Sequence, residues 1–538
     1  MKYVNLLCRK IYTIGLVILL FAVTLSMSVN NAESNGTSTY DDFSEINRFL
    51  EVKNGYRIVS GFDLENVAGK VSISDGMIVH DTTDMHVFGK EYTLTITFDP
   101  VQSNAFYYVY VDQTELKLSN RFSVDSFGIP LYLGVYDKST SLYNFIDLRK
   151  IDKSTQSLTI KSFDTEKGPD ANHTAGFLAM MKIAAYIDGA KIMVPDGRYI
   201  VDGNIKIPSN TFLIMGEKTL IKKSDKTKCN YIFGGDNADY VQIVGGVIDG
   251  NRNNSGDFLA ALYSTNGSKN WDIRGTKIIN AKRHAVYLDQ SSDVNLQDIT
   301  VENANGVGIG IFRSEGRVSI DGCTVSNTGS NGIEVTGLNE TETSKNVILK
   351  GTSVTGSGGN NVSLSYVDGG EITNFMATDS AKHAGFSCKK CMRLTISKSE
   401  FSNNRDGILL NHGSANNRII ENILKNNEHD GIDIAHENCH DNHIANNRIN
   451  ENGVRGVYLN DAYQNHITRN NFLDNGKKAA QHSTYATEVQ IEGRSSGNVV
   501  DDNVFKANHT YKLKYTIYSS KEAGTNHILD NRMEYSNQ

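Results

Sequence analysis

The chain has 538 residues, with 47 Gly, 5 Pro, 1 Trp and a formal net charge of -7. That length is too great for one ordinary core, so several domains or one elongated array is expected, and many Gly with few Pro suit short strands joined by turns. The acidic balance excludes a general nucleic-acid binder, which needs a net basic face.

Lys2, Arg9 and Lys10 precede an uncharged run over 11–29, followed by Asn30, Asn31 and Glu33. A basic stretch, an apolar run and a polar tail form an export signal, so 1–32 is expected to be a signal peptide cleaved near Ser26, Ser28 or Ala32, with retention as a membrane anchor the alternative. Secretion or display at the cell surface follows, with membrane association through this end. Cys8 precedes the run, leaving Cys229, Cys323, Cys388, Cys391 and Cys439 after it. The odd number predicts no complete disulfide framework. Cys388-Lys-Lys-Cys391 lacks the two further ligands a zinc site needs, so it reads as a local disulfide or two free thiols.

Residues 30–40 are rich in Asn, Ser, Thr and Gly and read as a flexible leader. Alternating segments such as Tyr92-Thr-Leu-Thr-Ile-Thr-Phe98 and Tyr107-Tyr-Val-Tyr-Val111 then predict a small β domain within 33–152. Its stretch 107–149 resembles β modules at the front of phage tail and surface appendage proteins, which implies attachment or spacing. The remainder, 153–538, is expected to form one all-β domain, a parallel β-helix. It opens with a helix over 174–187, whose apolar residues include Phe177, Met180, Met181 and Ala184, leading to Ala190-Lys-Ile-Met-Val-Pro-Asp-Gly-Arg-Tyr-Ile-Val201. This succession resembles the opening of the pectate-lyase-like superfamily of right-handed parallel β-helices, in which a short helix covers the first coil.

The repeat stands without the resemblance. A short strand recurs as His284-Ala-Val-Tyr-Leu-Asp289, Val307-Gly-Ile-Gly-Ile-Phe312, Asn331-Gly-Ile-Glu-Val335, His383-Ala-Gly-Phe-Ser387, Asp406-Gly-Ile-Leu-Leu410, Asp430-Gly-Ile-Asp-Ile434 and Arg455-Gly-Val-Tyr-Leu459, in steps of about 22–25 residues apart from a double step containing a coil near Asn361. Asn pairs five apart, at 417/422, 442/447, 465/470, 498/503 and 526/531, mark a second register and predict stacked amides. A leucine-rich repeat of similar period would need a Leu spacing that is missing.

Alternation within x-Gly-Ile-x-Ile sends the two Ile inward and the residue between them outward, giving an outward column of Tyr287, Gly310, Glu334, Phe386, Leu409, Asp433 and Tyr458. Two clusters along it carry candidate chemistry: Asp433, His436, Arg455, Tyr458 and Asp461 with His412 one coil earlier, and His284, Tyr287, Asp289 and Arg313. Each holds a base, a cation and a second proton donor, the parts needed to remove a proton beside a sugar carboxylate. Any one of these residues, taken singly, is more often a solvated turn residue than a catalyst.

Gly246-Val-Ile-Asp-Gly-Asn-Arg-Asn-Asn254 resembles the Asp-Gly-Asn-Arg coil of mannuronan C5-epimerases, with looser similarity over 161–480. In that family a strand reading Tyr-Gly-Phe-Asp-Pro-His supplies catalytic residues. Asp430-Gly-Ile-Asp-Ile-Ala-His436 keeps Asp433 and His436 but lacks the Tyr and has one residue more, whereas counting coils from Asp-Gly-Asn-Arg leads to His284-Ala-Val-Tyr-Leu-Asp289. The resemblance implies a lyase or C5-epimerase acting on an acidic polysaccharide. In that reading Asp433, His436, Tyr458, Asp461 and His412 are catalytic, while Arg455, His284, Tyr287, Asp289, Arg313 and Glu334 bind substrate. No cofactor is assigned beyond Ca²⁺ as a candidate, since Asp433 would either orient His436 or help hold a Ca²⁺. A carbohydrate-binding or adhesion solenoid is the rival, and a glycoside hydrolase built on two opposed carboxyl groups is a third reading.

Overall fold

The computed structural model describes residues 56–61, 63–67, 70–80, 83–93, 106–112, 115–119, 128–137, 142–147, 157–160, 171–186, 189–225, 227–380, 382–435, 438–478, 486–507 and 515–535. The expected signal segment and leader lie outside these residues. Among the described residues, no helix is long and apolar enough to cross a membrane.

The described part of 56–147 consists of antiparallel strands, the largest sheet pairing Gly128–Asp137 with both Phe106–Asp112 and Leu142–Asp147. The helix Thr174–Tyr186 follows, its start capped by Asn172, whose Oδ1 accepts from Thr174 N at 3.0 Å. Phe177, fully buried, packs edge-on against Phe233 at 5.6 Å at the amino-terminal end of the core.

From 157 onward the chain winds through three parallel sheets of 15, 14 and 13 strands, called here the first, second and third. Each complete coil contributes one short strand to each sheet, and every strand except those at the two ends pairs with its counterpart in the coils before and after. The core is a set of inward columns. Ile444, Ile467 and Val500 succeed one another in register in the first sheet, and Ile408, Ile432 and Val457 in the third; all six are fully buried.

The glycine of x-Gly-Ile is there because nothing larger fits. A Cβ at Gly431 would lie 2.6 Å from Gly456 O, 2.7 Å from Ile449 Cγ2 and 2.9 Å from Asn452 Nδ2, so the third-sheet strand begins pressed against the next coil and an asparagine. Gly407 and Gly456 are equally crowded, whereas Glu488 stands at the corresponding place in the following coil. Its buried carboxyl accepts from Asn475 Nδ2.

The asparagines form three columns, one more than the sequence pairs reveal. Asn417, Asn442, Asn465, Asn498 and Asn526 make the first, and Asn422, Asn447, Asn470, Asn503 and Asn531 the second, each Nδ2 donating to the next Oδ1 at 2.9–3.1 Å. Asn427, Asn452 and Asn475 make the third. Each interior amide also donates to a backbone carbonyl and accepts from a backbone N–H, as Asn447 does with Ile419 O and Asn422 N. Buried backbone at the corners thereby keeps its hydrogen bonds.

Cys229, Cys323, Cys388, Cys391 and Cys439 are all free. Cys323 and Cys391 donate to the carbonyls of Asp321 and Lys389, two residues before them, as Ser399 and Thr352 do to Ser397 and Lys350. The thiols thus occupy corner positions that hydroxyls fill in other coils.

One expectation about the third sheet is corrected. Phe386 points inward, fully buried, between Val362 and Ile408, and Ser387 takes the outward place. The slip is one residue: Gly385-Phe386 corresponds to Gly431-Ile432, and a one-residue shift in a strand exchanges its faces.

Candidate functional site

In register, the outward column of the third sheet runs Tyr263, Tyr287, Gly310, Glu334, Ser363, Ser387, Leu409, Asp433, Tyr458, Gln490 and Tyr518. The two expected clusters sit on this one face, six register steps apart, or roughly 29 Å at about 4.8 Å per step.

The carboxyl-terminal cluster is built from strands Asp430–Ala435 and Arg455–Asn460, whose register sets Asp430 beside Arg455 and Asp433 beside Tyr458. Arg455 grips Asp430 with two parallel bonds, Nε to Oδ1 at 2.8 Å and Nη2 to Oδ2 at 2.9 Å, and the two side chains are only 12% and 1% exposed. Its guanidinium lies 3.6 Å from the centroid of the Tyr458 ring, and the Tyr458 hydroxyl donates to Glu492 Oε2 at 3.0 Å. Asp406, buried one coil earlier, completes a trio in which carboxyl oxygens of Asp406, Asp430 and Asp433 all lie within 4.8 Å of one another.

Three carboxyls face one closely bound guanidinium, with Arg405 Nη1 3.8 Å from Asp406. Burial, reinforced by Asp430 and Asp406, pushes the Asp433 carboxyl well above the usual carboxylate range. Burial also raises Asp430, to about 6, against the pull of Arg455. Asp433 is thereby biased toward its protonated form, and its buried Oδ1 has no hydrogen-bond partner. Burial and the bond to Glu492 likewise raise the Tyr458 phenol. Both oxygens of Asp430 are taken by Arg455, so a divalent ion held by the trio would have to displace that guanidinium.

Of three further expected members, two stand elsewhere. His436 lies outside the described residues. Asp461 sits in the turn after its strand and accepts from Arg494 N at 2.8 Å. His412 occupies a turn and lines a depression beside the sheet. Asp406 and Glu492 are the members that sequence reasoning missed. Asp406-Gly-Ile repeats the opening of Asp430-Gly-Ile and was the available signal, whereas the long insertion before Thr487–Glu492 breaks the period that would have aligned Glu492.

The amino-terminal cluster also assembles. Arg313 pairs with Asp289, with Nε to Oδ1 at 2.7 Å and a second bond from Nη2. His284 Nδ1 accepts from Val307 N at 3.1 Å, and burial, then Arg283, pushes this imidazole toward its neutral form. Glu334 accepts from Asn331 Nδ2 at 3.0 Å. Tyr287 belongs to a ring stack that sequence reading missed: Tyr231 to Tyr263 at 5.3 Å and 4°, Tyr263 to Tyr287 at 5.8 Å and 12°, Tyr287 to Phe312 at 4.7 Å and 34°. Rings stacked along the axis cover one another's faces, leaving their edges rather than a flat platform for a sugar.

Residues 203–348 and 337–495 match the family model described as right handed beta helix region. No curated protein matches the sequence. Among solved structures, the chain is similar to the A-module of a mannuronan C-5 epimerase of Azotobacter vinelandii, with 17% identity over 71% of this chain and 97% of that one and a TM-score of 0.37. It is also similar to the surface adhesin PfbA of Streptococcus pneumoniae, with 14% identity over 60% and 91% and a TM-score of 0.46. A family 28 exopolygalacturonase of Yersinia enterocolitica follows, with 9% identity over 88% and 99% and a TM-score of 0.39. These likenesses carry no statement about activity. The family match spans more than half of the chain and coincides with the three parallel sheets, and the protein belongs to the right-handed β-helix family.

Proposed function

We propose that this protein is an exported enzyme that acts by proton transfer on an acidic, uronate-containing polysaccharide, as a lyase or a C5-epimerase, with its reaction centre at Asp433 and Tyr458. The observation that carries the reading is Asp433, a carboxyl on the outward face of the third sheet, in register with Tyr458, whose buried Oδ1 has no partner. Burial pushes this carboxyl toward its protonated form, the form a proton donor needs.

In this reading Tyr458 receives the C5 proton of a uronate while its own proton passes to Glu492, to which it is already hydrogen-bonded. The Arg455 guanidinium over the ring favours the transient phenolate. Asp433 donates its proton, to the departing glycosidic oxygen in elimination or to the opposite face of C5 in epimerisation. Arg455, bound to Asp430, holds the carboxyl trio together instead of meeting the substrate carboxylate, and His436 remains a further proton carrier of the proposal.

The test is to incubate the protein with alginates, pectates, glycosaminoglycans and bacterial capsular polymers, following absorbance near 235 nm, where unsaturated uronates absorb, and anomeric NMR signals. A rise in absorbance is expected of a lyase, and altered anomeric signals without chain shortening of an epimerase. Asp433→Asn should lower kcat by about 10²–10⁴-fold with KM within a few-fold. Full turnover by Asp433→Asn would overturn the site, new reducing ends without absorbance would turn the reading to hydrolysis, and binding without turnover to adhesion.

A further inference from the structure

Beside the third sheet, successive coils turn through single residues in the left-handed region: Tyr366 (φ 55°), Lys390 (φ 52°) and His412 (φ 50°). Tyr366 N donates to Lys389 O and Lys390 N to Asn411 O, so their side chains leave the sheet edge one coil apart, about 4.8 Å. Over this row stands the loop 337–343. It is held by its own bonds: Leu338 N donates to Glu342 O, and Asn339 Oδ1 accepts from Thr341 N at 2.9 Å and Glu342 N at 3.0 Å. Loop and turns enclose a depression of about 460 Å³ lined by Glu340, Thr343, Lys390, Met392, His412 and Asn438, together with Gly413.

Within it the Lys390 ammonium is bound by the carboxylate of Glu340 and lies 5.8 Å from the Tyr366 ring centroid. The pair joins residues fifty apart in sequence and is 35% and 65% exposed, on Lys390 and Glu340 respectively. An ion pair that wet is weak and yields to salt. The turns carrying Lys390, His412 and Asn438 follow the strands of Ser387, Leu409 and Asp433, so the depression reaches from the coil of the acid cluster to two coils before it. A sugar lying there would be one or two residues from one lying at Asp433.

We propose that this depression is a subsite for one uronate residue of the polysaccharide, that Lys390 is the cation recognising its carboxylate, and that Glu340 is an internal carboxylate which the substrate displaces. The inference rests on the reading of the protein as polyuronate-active and adds to it a specificity determinant and a self-occupied site. The loop carries the same chemical group as the ligand, presented to the same ammonium. A chain with a carboxylate on every residue displaces it by local concentration, whereas an uncharged glycan has nothing to exchange for Glu340.

The test is direct binding by calorimetry to hexamers of galacturonate, mannuronate and guluronate and to their methyl esters, with the full chain carrying Asp433→Asn so that turnover is slow beside the titration. Glu340→Gln should tighten binding of an acidic hexamer several-fold and Lys390→Gln weaken it about tenfold, with Lys390→Arg restoring most of the affinity. Both effects should shrink in 0.5 M NaCl and be absent with the methyl ester. If Glu340→Gln weakens binding as Lys390→Gln does, the pair is a structural clasp and the inference fails. It fails equally if hexamers bind and neither variant matters, while the enzymatic reading survives. The predicted shifts without turnover of any polymer by the wild type would uphold the subsite and sink the enzymatic reading. No binding of any hexamer by the wild type would overturn both.

Discussion

Asn447→Ala is the substitution that best separates ladder energetics from ordinary surface hydrogen bonding. Asn447 donates to Ile419 O at 2.8 Å and Asn470 Oδ1 at 2.9 Å, and accepts from Asn422 N at 2.9 Å and Asn422 Nδ2 at 3.1 Å, all in a buried corner. Four bonds at about 0.5–1.5 kcal/mol net each give roughly 2–6 kcal/mol, and the partners left behind have no water to turn to. Asn526 makes a comparable set, to Ser495 O and Gly524 O and from Asn498, but at the half-exposed last rung, where water replaces the lost amide. Asn526→Ala should therefore cost only about 1 kcal/mol. Urea unfolding followed by far-UV circular dichroism measures both, with the slope checked for loss of cooperativity, to which repeat arrays are prone. A cost for Asn447→Ala below about 1 kcal/mol, or no greater than for Asn526→Ala, would refute the view that the amides are held as a desolvated column.

Three other outcomes follow from the same geometry. Gly431→Ala should destabilise the carboxyl-terminal coils by a few kcal/mol, since the new Cβ meets Gly456 O at 2.6 Å; unchanged unfolding in urea would show that the coils can separate cheaply. Arg455→Met leaves the buried Asp430 carboxylate without its guanidinium and should cost about 3–5 kcal/mol at pH 8. That cost should diminish at pH 5 as Asp430 takes up a proton, and thermal melts at the two pH values would reveal a pH-independent loss if the reasoning is wrong. Burial raises the Glu488 carboxyl to about 8, so the folded chain keeps a proton that the unfolded chain releases near pH 4.5. Through this group stability should fall as pH rises from about 4.5 to 8 and then level off, and Glu488→Gln should remove that share of the slope, leaving the share due to Asp430 and Asp433.

The solenoid was legible in the sequence because a coil's constraints are local: an inward pair of aliphatic residues, a glycine with no room for Cβ, and an asparagine at each corner. The third asparagine column obeys the same five-residue spacing and could have been read from Asn417, Asn422 and Asn427. The strand at Phe386 was misaligned because Ala384 and Gly385 both qualify as the small residue, and only pairing with Val362 and Ile408 decides between them. Of the candidate site, Asp433, Arg455 and Tyr458 were visible as strand residues. Their electrostatics were not, since the upward push on the Asp433 carboxyl comes from burial, then from Asp430 and from Asp406 in another coil. Nor was the commitment of Arg455 to Asp430, because spacing shows that two residues can meet and not which partner wins.

The asparagine columns also divide each coil into two arcs with different freedoms. Successive rungs of the first column are separated by 25, 23, 33 and 28 residues, and those of the second by the same four numbers. Every change in coil length is therefore absorbed outside the four residues between those corners, on the arc that carries the second and third sheets and their turns. One side of the molecule is a fixed-gauge rail and the other a set of interchangeable fittings. Selection or an engineer can lengthen the chain between rungs, as the sequence does between Asn465 and Asn498, or exchange the residues around Asp433 and Lys390, without asking the rail to change gauge.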